Sequence, residues 1–115
     1  MISKKNVRVY IQDIREAIEK IQEYTSIGKR AFLSDHKTQD AVIYNIAIVG
    51  EAVKRLPKSL TSKYPEVEWA KAAKMRDILV HDYSETDMGT VWDTVTNNLP
   101  PLKETVMVML KHLKN

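Results

Sequence analysis

MGTVWDTVTNNLPPLKETVMVMLKHL, residues 88–113, carries the clearest pattern in the chain. Met88, Val91, Trp92, Val95, Leu99, Leu102, Val106, Leu110 and Leu113 keep to intervals of three and four. That period places one apolar stripe along a helix. The phase survives Pro100-Pro101, which predicts either a kinked helix or two stacked ones, because proline is tolerated in a first helical turn. No period-two alternation appears anywhere, so this stretch sets the fold class as all-α.

Working outward, Val7, Ile11, Ile14, Ile18 and Ile21 repeat the same spacing and predict a helix from Lys4 to Tyr24, with Gly28 as its terminator. A short connection follows, with Phe32 and Leu33 as expected core contacts. Ser34 or Asp35 can cap the next helix, which runs to Leu56, where Pro57 stops it. Its apolar residues, including Val42, Ile43, Ile46, Ile48, Val49 and Val53, cover more than one stripe, as in a helix buried among several neighbours or lying at a subunit interface. Gly50 inside it weakens the helix by about 1 kcal/mol relative to Ala and makes sense where another backbone approaches closely. Glu51 beside it reads as a solvated carboxylate, with an inward-facing one as the alternative. Residues 57–65 read as a loop with one helical turn, and a further helix runs from Trp69 toward Val80, its Ala72 and Ala73 small enough for close packing. Four or five helices packed as an antiparallel bundle are expected.

The 115 residues suffice for one domain, 1–115, with one core. Apolar residues at 43% and charged residues at 29% give a globular balance rather than a disordered one. Absence of cysteine excludes disulfides and thiolate zinc sites. With no apolar leader and no window of about 20 apolar residues, the expectation is a cytoplasmic protein without a membrane span. A net charge of +3 permits a polyanionic partner without requiring one. Lys54, Arg55, Lys58 and Lys63, with Lys71 and Lys74 nearby, read as a solvated surface that can also guide a phosphate backbone.

Residues 75–83, Met-Arg-Asp-Ile-Leu-Val-His-Asp-Tyr, hold the residues best suited to chemistry. A guanidinium suits phosphate and the charge that builds during phosphoryl transfer. An imidazole suits proton abstraction from a hydroxyl. Arg76 and His81 are five residues apart, about 140° on an ideal helix, so they meet only where the helix ends near Val80–Asp82 or across a partner chain. Asp77 and His81, four apart, share a face, and the carboxylate can orient the imidazole. Such a set can cleave RNA without a metal. It can equally cap a helix end. His36 and His112 lack ligand spacing, so no metal site and no cofactor are expected.

The run Arg76-Asp77-Ile78-Leu79-Val80-His81-Asp82-Tyr83 matches R-x-x-x-x-H-x-Y, the motif of HEPN domains. Residues 37–42 (KTQDAV), 48–52 (IVGEA), 91–95 (VWDTV) and 99–102 (LPPL) resemble the HepT-like branch, and the likeness covers nearly the whole chain. The resemblance implies a homodimeric all-helical bundle in which two motifs face one cleft. It implies a metal-independent endoribonuclease toxin of a type VII toxin–antitoxin system, with Arg76 and His81 as the catalytic pair and Asp77 in support. It also implies a partner, a minimal nucleotidyltransferase antitoxin of the MntA type, which silences the toxin by transferring AMP to Tyr83, in a toxin–antitoxin assembly that can exceed the dimer. Two other readings remain open at this point: a non-catalytic helical module that docks a nucleotidyltransferase and a nucleotide, and a purely structural oligomerising bundle.

Overall fold

The computed structural model describes the backbone of residues 4–81 and 87–113, and the side chains of 6–76 and 87–113. Among these there is no strand. The helices are α1 (Lys4–Tyr24), α2 (Lys29–Leu33), α3 (His36–Lys54), α4 (Lys58–Thr61), α5 (Trp69–His81), α6 (Met88–Asp93) and α7 (Leu99–His112). α1, α3, α5 and α7 are the long ones, and α3 lies between α1 and α5 while α7 covers another side of α1. Arg8, early in α1, donates to the carbonyl of Leu113 just past α7, while Lys103, near the start of α7, meets Glu19 at 3.6 Å and Gln22 at 3.1 Å. α1 and α7 are therefore antiparallel. No helix among the described residues is long and apolar enough to cross a membrane.

The apolar periodicity of α1 is the core. Ile11, Ile14, Ile18 and Ile21 are fully buried, against Val42, Ile46 and Val49 of α3 and Leu99, Val106 and Met109 of α7. α1 gives way to a 3₁₀ turn over Thr25–Ile27, and Gly28 at φ 95° closes it in a conformation that side chains with a Cβ rarely adopt. The connection predicted after it contains α2, which buries one of its two expected core residues. Phe32 is fully buried, with its ring 5.4 Å from that of Trp92 on α6, whereas Leu33 is 43% exposed. Adjacent residues on a helix point about 100° apart, and α2 turns its Phe32 side to the core. Asp35, not Ser34, caps α3: its carboxylate accepts from the backbone N–H of Lys37 at 3.1 Å and of Thr38 at 3.4 Å, and from the Thr38 hydroxyl at 2.8 Å. Gln39 is buried and donates to the Phe32 carbonyl at 2.9 Å, tying α2 to α3.

From Met88 to His112 the chain is helical without a break, and Pro100 and Pro101 lie inside that run. Thr94–Asn98 is a π-helical segment leading directly from α6 into α7, and the prolines fall in the first turn of α7. Each proline lacks an N–H, and its ring would strike the carbonyl four residues back. The wider π turn opens that space while keeping the buried stripe Val91, Val95, Leu99, Leu102 and Val106 in phase.

Candidate active site

Among the described side chains, α5 comes closest to α3 at a glycine. A Cβ placed on Gly50 would lie 2.5 Å from the Cβ of Arg76 and 3.1 Å from the carbonyl oxygen of Ala73. Real carbon atoms do not approach so closely, so only glycine allows the turn of α5 that bears Arg76 to sit against α3. The close approach predicted for Gly50 is thus made by the motif helix itself. Ala72 is buried in the same region.

From this crossing the Arg76 side chain reaches back to α3. Its Nε lies 3.4 Å from Oε1 of Glu51, and Oε2 of the same carboxylate lies 3.1 Å from Nε of Arg55. The guanidinium of Arg55 in turn lies over the ring of Tyr10 on α1, 5.9 Å from its centre. Hydrogen bonding to Tyr10 first, and to Glu51 second, raises the pKa of Arg55 above its already high value. One chain of contacts, Tyr10–Arg55–Glu51–Arg76, therefore spans α1, α3 and α5. The side chains of Arg76 and Glu51 are 37% and 38% exposed. An ion pair this open to solvent adds less than about 1 kcal/mol to stability, so its consequence is mainly where it holds the guanidinium. Glu51 is thus neither a free surface carboxylate nor a buried one, and its partner lies 25 residues away in sequence. Gly50 is the signal that points to it, because a residue next to a helix–helix contact is carried to the edge of that contact.

Arg76 is the sequence-predicted site residue whose side chain the structure describes. His81 is the last described residue of α5, and the expected helix end beyond it, toward Asp82, lies outside the described residues. The side chains of Asp77 and His81, and Tyr83 as a whole, lie outside the described residues. Next to the Arg55–Glu51 pair a groove of about 270 Å³ runs between α1 and α3, lined by Tyr10, Tyr44, Ala47 and Ile48. Tyr44, two helical turns before Glu51, is 67% exposed. Lys54, Lys58 and Lys63 are exposed, and Lys71 lies 3.9 Å from Glu68. His112 has a structural partner: its Nδ1 lies 2.8 Å from the hydroxyl of Tyr64, with the two rings stacked. No three His, Asp or Glu side chains among the described residues come together as a metal site.

The family model for ribonuclease HepT-like proteins matches residues 14–109, which include α3, α5 and the whole 76–83 motif. The chain belongs to the HepT-like ribonuclease family. A Thermococcus cleftensis protein named "Probable ribonuclease HepT" is 44% identical over 101 residues, 87% of this chain and 92% of that protein. A Methanocaldococcus jannaschii protein, whose name joins a gamma-glutamylcyclotransferase to a provisionally assigned RNase, is 40% identical over 111 residues. The match takes in 96% of this chain and 50% of that protein, so the HepT-like chain spans half the length of this relative. A provisionally named RNase of Caldanaerobacter subterraneus is 32% identical over 96% of this chain and 99% of its own length. No solved structure matches the chain.

Proposed function

We propose that this HepT-like chain is a metal-independent endoribonuclease, the toxin of a toxin–antitoxin pair acting in the cytoplasm. Family membership supports the class of enzyme, a hydrolase that cleaves RNA. The observation that carries the reading to particular residues is Arg76: a partly exposed guanidinium, held at a helix crossing on the helix that also carries His81. A cation so placed can meet a phosphate from solvent.

In the proposed reaction His81 takes the proton of a ribose 2′-hydroxyl. The 2′-oxygen attacks the adjacent phosphorus, the bond from phosphorus to the 5′-oxygen breaks, and that oxygen leaves with a proton. Products are a 2′,3′-cyclic phosphate and a 5′-hydroxyl. Arg76 balances the charge on the phosphorane, and Asp77, one turn before His81, orients the imidazole. Two copies pair so that two motifs line one cleft, and the apolar face of α3 around Tyr44, Ala47 and Ile48 supports such pairing. A minimal nucleotidyltransferase partner silences the enzyme by transferring AMP to Tyr83. The added phosphate brings negative charge to the site where RNA phosphate must bind.

Purified protein incubated with RNA in EDTA is expected to leave cyclic-phosphate ends, and His81→Ala to leave none while melting like the wild type. Equal cleavage by His81→Ala refutes the assignment. With the transferase and ATP, the chain gains the mass of one or more adenylyl groups, and Tyr83→Phe gains none. Light scattering reads the dimer.

A further inference from the structure

We propose that Glu51 is a positioning residue for Arg76, presenting its guanidinium to the scissile phosphate. The proposal rests on the ribonuclease reading for the reaction it serves. Three observations carry it. The carboxylate of Glu51 meets Arg76 at Nε, 3.4 Å away. Because the guanidinium is planar, a contact at Nε restrains the plane of the whole group, and it is the fork of a guanidinium that matches phosphate oxygens. Glu51 is itself restrained, since its second oxygen lies 3.1 Å from Arg55, whose guanidinium lies over Tyr10. The restraint on Arg76 is therefore referred to two other helices. Finally, Gly50 brings the backbone of α3 within reach of Arg76, and Glu51 is the next residue along.

A carboxylate beside a phosphate-binding arginine is unfavourable for substrate. It repels the phosphate and withdraws part of the arginine's charge. A purely structural pair explains its presence poorly, because an ion pair open to solvent adds little to stability and α5 is already seated through Gly50 and Ala72. Orientation is the benefit that offsets the repulsion. Arginine has four rotatable side-chain bonds, and a partner that restrains it before substrate arrives removes an entropic loss from the reaction. Removing the carboxylate should therefore slow turnover without weakening RNA binding, a combination that neither charge alone nor a folding defect produces.

The test is steady-state cleavage of a labelled RNA by the full chain and its Glu51→Gln variant, with rates referred to folded protein measured by circular dichroism. Glu51→Gln is expected to lower kcat roughly tenfold to a hundredfold while KM stays the same or falls. A kcat within about twofold of wild type, or a fall accounted for by lost folded protein, overturns the proposal. A second measurement uses Arg76→Ala with added guanidinium ion. Activity is expected to return in part when Glu51 is present and not in the Arg76→Ala/Glu51→Gln double variant. Equal rescue of both overturns the role. A wild-type chain that leaves RNA intact overturns the ribonuclease reading, and the role of Glu51 falls with it.

Discussion

Gly50→Ala tests the crossing on which the site is built, because two of its effects oppose each other. Alanine is the better helix former by about 1 kcal/mol, and at an ordinary mid-helix glycine it would stabilise the protein by that amount. Here the added methyl would sit 2.5 Å from the Cβ of Arg76, about 0.9 Å inside the 3.4 Å at which ordinary contact begins. Both atoms are held directly by backbone, so no rotamer change relieves the clash. The carbonyl of Ala73 at 3.1 Å closes another direction. Overfilling a packed site costs about 1–3 kcal/mol. Subtracting the propensity gain leaves a net loss of about 0–2 kcal/mol, or a melting point lower by up to about 8 °C in a domain this size. The effect on cleavage should be larger than the effect on stability. The residue displaced is Arg76, the proposed partner of the phosphate, and a misplacement of about 1 Å in a catalytic group can slow a reaction roughly a hundredfold. Urea denaturation and RNA cleavage on the same preparation separate the two. A Gly50→Ala variant about 1 kcal/mol more stable than wild type, with unchanged kcat, would show that α3 and α5 do not meet as described and would remove the reason offered for this glycine.

Asp35→Ala should lower the melting point at neutral pH, since it strips the cap from α3. The Thr38 hydroxyl first, then the backbone N–H groups of Thr38 and Lys37, hold the Asp35 carboxyl below its ordinary value of 3.8. A carboxyl depressed in the folded state stabilises above its unfolded value and loses that contribution as pH falls through the folded one. The melting curves of wild type and variant should therefore converge as the pH drops below 3.8, and a gap that persists in acid would refute the capping role. Phe32→Ala should cost about 3–5 kcal/mol in urea unfolding. Its neighbour Leu33, exposed on α2, should tolerate Leu33→Lys within about 0.5 kcal/mol, and comparable losses at the two positions would contradict the burial described. Tyr64→Phe removes the hydroxyl that meets His112 and should cost about 0.5–1.5 kcal/mol, with faster amide exchange confined to the last turn of α7. Unchanged exchange there would mean that the contact does not hold the helix end.

Much of this architecture could be read from the chain because large apolar residues recur at helical intervals. Ile11, Ile14, Ile18 and Ile21 need one face covered, and they define α1 before any partner is known. Leu33 is misplaced because residues 29–33 read as a connection, and in a helix of five residues there are too few turns for a period to show. The helical period also omits Met109, fully buried on α7, in favour of Leu110, which is only partly buried. Neighbours one residue apart are hard to rank when both are apolar, because each lies near the edge of the same stripe. The motif of the site was legible as residue types at a spacing. The Glu51 partnership was not, since nothing in a linear pattern pairs position 51 with position 76.

The helix that carries Arg76 and His81 has the weakest amphipathic pattern of the long helices. Among the described side chains of α5, the closest approach to α3 is made at small residues. Ala72 is its buried residue among those whose side chains are described, and the backbone near Ala73 and Arg76 touches a glycine. A pattern search weighs what side chains add, and here the contact is made by what they lack. That mode of packing has a consequence for chemistry. A helix held by bulky interdigitating residues can shift slightly as they change rotamer, whereas one seated backbone to backbone has less freedom, and a cation attached there inherits its position from the main chain. Small residues paired across two helices are therefore worth searching for next to any candidate arginine. In this chain Gly50, Ala72 and Ala73 mark where Arg76 is fixed more directly than any apolar stripe does.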